Sequence, residues 1–267
     1  MAGSTIPERL DYDRALAMIE LPSLAIALPL ALAALIGFSV ETTLGFGATL
    51  ITVAIGSFFV DLRVLLPAIA PLNLVLSIYI AARYHAQIDR RVLFGKLVPF
   101  MMLGLPLGLA LLVVLDASLL KRLFGAFLIA VSARELVQMR RASVDAAPMG
   151  RVPEAALLIV GGAVHGAFMT GGPMAVYVAS RVLDDKGRYR ATLSALWAIL
   201  NAMLLVSYAI DDRFGPSERG LSVALLPSIA LGMIAGELAF RRVPAAAFRT
   251  MVFVMLLASG LALVVRG

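Results

Sequence analysis

Glu41 is the only charged residue between Leu21 and Val60. A carboxylate buried in such a run is expensive in hydrocarbon, and by default it marks proton or ion coupling. It opens the stretch "ETTLGFG", in which Thr42 and Thr43 precede Gly45 and Gly47. A second stretch, "GAVHGAFMTGGP", places His165 ahead of Thr170, Gly171, Gly172 and Pro173. Glycines at these places interrupt a helix, and the next helix then starts with free backbone N–H groups carrying about half a positive charge. Such a start binds oxyanions. Gly45, Gly47, Gly171 and Gly172 allow positive φ and close approach of a ligand, and Pro173 fits a first helical turn. Thr43 and Thr170 offer hydroxyls to an anion, while Thr42 is the better candidate for bonding its own helix carbonyl. Asn73 and Asn201 are amides in apolar surroundings and must face a bundle interior, where they either reach substrate or tie helices together. Glu41 and His165 are the candidates for proton coupling; the plainer alternatives are a neutral, hydrogen-bonded Glu41 and an interfacial His165. For the glycines, the plainer alternative is close helix packing.

The elements that must hold these residues are membrane helices. Of 267 residues, 61% are hydrophobic and 15% charged, and the mean hydropathy is +0.95, far from the soluble norm of about half apolar and a quarter charged. Hydrophobic segments fall at about 22–42, 45–60, 64–82, 92–115, 118–139, 154–169, 172–183, 190–210, 220–240 and 245–265. They form one transmembrane domain of two halves, 22–139 and 154–265, joined by a polar linker at 140–153. The halves resemble each other: "LVPFMMLGLPLG" aligns with "LLPSIALGMIAG", pairing Gly104 with Gly232 and Gly108 with Gly236. The same offset pairs Asn73 with Asn201, and a slip of three residues pairs Gly37 and Gly47 with Gly162 and Gly172. Duplication of this kind builds secondary transporters whose sites lie between repeats.

The segment 172–183 is too short to cross alone, so it either starts at mid-depth or returns as a re-entrant hairpin. An odd number of crossings per half puts fifteen of the 23 Lys and Arg on one face, whereas four crossings per half split them thirteen to ten. The positive-inside rule favours the odd count and hence inverted repeats. The expected fold is an all-α polytopic membrane protein, with the first two segments of each half joined at a glycine-rich intramembrane break.

Other chemistries find little support. There is no cysteine, no HExxH pair and no Walker-type loop, which argues against thiol or zinc chemistry, an intramembrane enzyme and ATP hydrolysis. No cofactor or metal is expected. The formal charge of +6 suits loops facing anionic lipid rather than nucleic acid. The acidic N-terminus lacks the basic start of a cleaved signal and reads as a surface segment. Glu237 is placed to pair with Arg241, Trp197 either anchors at an interface or packs inside, and Arg83 and Arg190 lie where they would help to funnel anions. Oligomeric state is not encoded. A carrier, an uncoupled channel-like facilitator and a glycine-packed scaffold stay open at this level.

Together, the "GFG" break, the duplicated "LxPxxxLGxxxG" and the "TGGP" break resemble the sulfite exporter TauE/SafE family, from about residue 24 to 265. The resemblance implies a multi-pass permease of the bacterial inner membrane that moves sulfite, sulfonates or related small anions. It also implies a site at Gly45, Phe46, Gly47, Gly171 and Gly172. Ala48 stands where the family often has a further glycine, which bears on the width of the first pocket.

Overall fold

A computed structural model describes residues 20–140, 150–183, 185–240 and 245–266. The acidic N-terminal segment and residues 141–149 of the linker lie outside them. Each hydrophobic segment lies on a helix: α1 Leu24–Leu44, α2 Ala48–Gly56, α3 Leu62–Arg83, α4 Arg90–Val114, α5 Ala117–Arg140, α6 Arg151–Phe168, α7 Gly172–Ala179, α8 Lys186–Ile210, α9 Pro216–Phe240 and α10 Ala245–Arg266. Among the described residues, five of them (α1, α3, α4, α8 and α9) are long and apolar enough to cross a membrane. Large apolar side chains such as Leu24, Leu107, Val114, Ile210 and Ile234 point outward, the pattern of a surface facing lipid rather than water.

Local signals set the ends. Asp61, Asp89, Asp116 and Asp185 each accept a backbone N–H from the first turn of α3, α4, α5 and α8, at 2.8 to 3.0 Å, satisfying one orphan donor of the helix start. α8 and α9 begin four residues earlier than hydropathy suggests, because charged residues continue a helix into the interface, behind the Asp185 cap at α8 and from Pro216 at the first turn of α9.

The most extensive helix contacts each join the first part of the chain to the second. α1 lies on α9 and α6 on α4, while α3 meets α8 and α5 meets α10. Backbones touch at the α4–α6 pair: an added Cβ on Gly104 or Gly108 would fall 1.9 Å from the carbonyl oxygens of Ile159 and Ala163. From the other side, Gly162 and Gly166 face the Met101 and Leu105 carbonyls just as closely. Gly232 and Gly236 play the same part on α9, against Leu35 and Ser39 of α1, at looser separations.

The short helices turn back. Gly37 of α1 faces Ala48 and Thr52 of α2, and Leu30, earlier on α1, meets Gly56 at the end of α2. α2 therefore runs antiparallel along α1. Likewise Gly161 of α6 meets Met174 of α7, and Gly171 folds onto Gly161 and His165. In each half the short helix folds back along the helix before it as a helical hairpin. α3 and α8 fill the centre and bring Asn73 and Asn201 inward, both buried.

Candidate functional site

The tips of the two hairpins close on a small cavity of about 20 Å³, space for about one water molecule. Glu41 reaches it from α1, Phe46 and Gly47 from the first tip, Thr49 and Leu50 from α2 and Asn73 from α3. From the second half come His165, Met169, Thr170, Gly172, Pro173, Trp197 and Asn201.

The first tip is made by two left-handed glycines. Gly45 (φ 82°) ends α1 and Gly47 (φ 119°) starts α2. Gly45 lies in the αL region, which a side chain tolerates at a cost of about 1–2 kcal/mol. Gly47 lies further from it, and a Cβ would press on Val40 at 3.1 Å there and on the Arg190 Cα at 3.3 Å at Gly45. Gly47→Ala is therefore expected to lower the thermal unfolding midpoint in detergent more than Gly45→Ala does. Equal midpoints for the two variants would refute this account of the tip.

Glu41 does not hang free in the cavity. Its Oε2 accepts the Ala48 N–H at 2.9 Å, so this carboxylate caps the helix start that the sequence left open for a ligand. Asn73 Nδ2 donates to Thr49 Oγ1. Trp197 Nε1 donates to the Gly45 carbonyl at 2.8 Å and stacks on His165, with centroids 5.6 Å apart. Trp197 is thus an internal brace of the first tip, the second of the two roles open to it.

Several polar atoms at the cavity have no hydrogen-bond partner among the described residues: Asn73 Oδ1, Asn201 Oδ1, Thr170 Oγ1 and both ring nitrogens of His165. These residues are 1–3% exposed. Asn201 and His165 lie within looser hydrogen-bonding reach of each other and so partly serve one another, although no hydrogen bond of regular geometry reaches the imidazole. Unpaired hydroxyls also occur elsewhere, at Thr42, Ser77, Ser132, Ser194 and Tyr208. A helical serine can turn to its own backbone; an amide oxygen or an imidazole held in the cavity has no such recourse. A buried unpaired polar group costs about 1–3 kcal/mol, so their gathering around this space marks a place where water or another polar molecule would be stabilised.

Of the residues singled out in the sequence, Glu41, Phe46, Gly47, Asn73, His165, Thr170, Gly172, Pro173, Trp197 and Asn201 meet here. Thr43, Gly45 and Gly171 lie outside the lining. The Thr43 hydroxyl is engaged with the carbonyls of Ser39 (2.8 Å) and Gly236 (3.1 Å), and a Cβ on Gly171 would strike the Gly161 carbonyl at 2.3 Å, so both serve packing. Thr42 is buried against Gly236. Glu237 pairs with Arg190 at 2.7 Å, while Arg241 lies outside the described residues. Arg190 also lies over the Tyr84 ring and backs Gly45, so it braces the first tip from behind; Arg83 rests over the same tyrosine.

Sequence reasoning passed over Thr49, Leu50 and Met169 as lining residues. Thr49 carried a weak signal, being polar two residues after Gly47. Met169 ends α6 with φ 55°, the place Gly45 takes on α1, and this non-glycine in the left-handed region projects into the cavity.

No curated protein and no solved structure matches the chain. A family does: the sulfite exporter TauE/SafE model matches residues 30–263, nearly the whole helical body, and the chain accordingly belongs to that family of multi-pass membrane transporters.

Proposed function

We propose that the protein carries a small anion, sulfite, an organosulfonate or a related carboxylate, across a bacterial inner membrane by alternating access between two inverted repeats. The observation that carries this reading is the set of unpaired, buried polar groups at the meeting point of two helical hairpins. Of these groups the Thr170 hydroxyl and one His165 ring N–H are neutral donors that suit an oxyanion beside a helix start, as in transporters built from discontinuous helices, while the Asn73 and Asn201 amide oxygens are acceptors that suit a proton or water carried with it.

The packing supports the repeat. Exchanging the halves turns the α1–α9 pair into α6–α4 and leaves α3–α8 and α5–α10 as they are. With hairpins that add no net crossing, each half crosses three times, the odd count that the basic residues favour.

Two larger hollows support two-sided access. One of about 540 Å³ lies at the end of α7, beside Gln138, Ser180, Lys186 and Phe46. The other, about 640 Å³, lies at the end of α2, beside Ile55, Phe58, Lys121 and Leu263. Ser180 and Ile55 are equivalent under the hairpin alignment, and Glu135, which lines the first hollow, is equivalent to Leu263 under the other. In an inverted repeat, equivalent mouths open on opposite faces. Phe46 lines both the first hollow and the central cavity, the position of a gate.

Flux of labelled sulfite, methanesulfonate and acetate into proteoliposomes tests the reading. Saturable uptake of at least one, abolished by Asn201→Leu, is expected. No uptake of any of them, under either direction of an imposed pH gradient, would count decisively against it.

A further inference from the structure

The two helix starts at the cavity are not alike. At α2, Glu41, 5% exposed, holds its carboxylate on the Ala48 N–H, where an oxyanion would otherwise be bound. At α7 no acidic side chain among the described residues lines the cavity, and His165, Thr170 and Asn201 around that start have unpaired atoms, as has Asn73 on the α2 side. The difference is built into the packing. The hairpin alignment that pairs Gly47 with Gly172 pairs Glu41 with Gly166, and a Cβ there would fall 2.2 Å from the Leu105 carbonyl. No acid can stand at that position while α6 lies on α4.

We infer that the cavity takes one exchangeable anion, at the start of α7 with the Thr170 hydroxyl and the His165 ring that Asn201 flanks, because Glu41 is a tethered anion already seated at the start of α2. This rests on the anion-carrier reading above and sharpens it to a substrate class. No Lys or Arg lines the cavity among the described residues, so nothing there offsets a dianion set beside a carboxylate. The site therefore suits monoanionic heads, such as a sulfonate, bisulfite or a monocarboxylate, and disfavours sulfate or the sulfite dianion. Binding of the monoanion and protonation of Glu41 favour each other, since each removes or neutralises one of two neighbouring like charges.

Methanesulfonate and sulfate are the probes, because both keep their charge from pH 5.5 to 8.5. Binding to the purified full chain in detergent is expected to favour methanesulfonate over sulfate by at least about tenfold. Methanesulfonate affinity should fall as pH rises. Glu41→Gln should tighten methanesulfonate about tenfold at pH 8, flatten its pH dependence and narrow the preference over sulfate. The other charged or titratable groups near Glu41 are His165 on α6 and the Arg190–Glu237 pair of α8 and α9, with Tyr84 beside it. A pH dependence that survives Glu41→Gln but vanishes in His165→Asn would overturn the assignment to Glu41. Wild-type binding of sulfate as tight as methanesulfonate would overturn the monoanion site, needs no variant, and leaves the carrier reading standing. Absence of binding and flux for every anion would remove both.

Discussion

Gly108→Ala is expected to leave the protein about 3 kcal/mol less stable than wild type, or to prevent its accumulation in the membrane. A Cβ at this position would fall 1.9 Å from the Ala163 carbonyl oxygen and 2.6 Å from the Ala167 nitrogen. Both are backbone atoms, so no side chain can rotate away. The whole of α6 would have to withdraw from α4. That withdrawal would open the contacts at Gly104, Gly162 and Gly166 as well, each set at 1.9 to 2.2 Å for a hypothetical Cβ, and dispersion falls steeply with such gaps. Alanine's better helix propensity returns about 1 kcal/mol, too little to offset the loss. Gly236→Ala on the equivalent α9 should cost less, because its Cβ would meet Ser39 and Thr42 atoms at 2.7 Å. Gly95→Ala is the control: nothing lies within 4 Å, and stability should hold or rise slightly. Thermal unfolding in detergent reads the series, and a Gly108→Ala midpoint equal to that of Gly95→Ala would sink the account.

Those same glycines show what the sequence conveys and where it stops. Their recurrence as "LGxxxG" in both halves is visible without a structure, because small residues four apart form a flat helix face. Hydropathy likewise marks where each helix lies, since the cost of exposing a polar residue to lipid is a local property. What is not local is not legible. Nothing near Trp197 in the chain reveals that its indole holds the Gly45 carbonyl, or that Arg190 takes Glu237. The direction of the short helices follows from Gly37 meeting Thr52 and Leu30 meeting Gly56, contacts that either path allowed until the packing was seen. Glu41 is an intermediate case. Its isolation marked it, but the Ala48 N–H it accepts lies beyond a turn whose shape depends on the dihedrals of Gly45 and Gly47.

Two threonines that looked alike in the sequence now separate, and the separation is measurable. Thr170→Val should cut anion flux at least tenfold while leaving stability unchanged or raising it by about 1 kcal/mol. Its hydroxyl is buried without a partner, so an isosteric methyl removes a desolvation cost and, with it, a contact to substrate. Thr43→Val should do the reverse. Its hydroxyl serves the carbonyls of Ser39 and Gly236 across the α1–α9 contact, and its loss should cost up to about 1 kcal/mol with flux retained. Asn201→Leu extends the first pattern: the unpaired amide oxygen is replaced by a side chain of similar size, and flux should fall further than for Thr170→Val. A site made for a ligand keeps polar groups that folding alone would discard, so stability and transport must move in opposite directions there. If Thr170→Val proved less stable than Thr43→Val and equally active, the hydroxyl would belong to the packing and the cavity would lose its claim to the substrate.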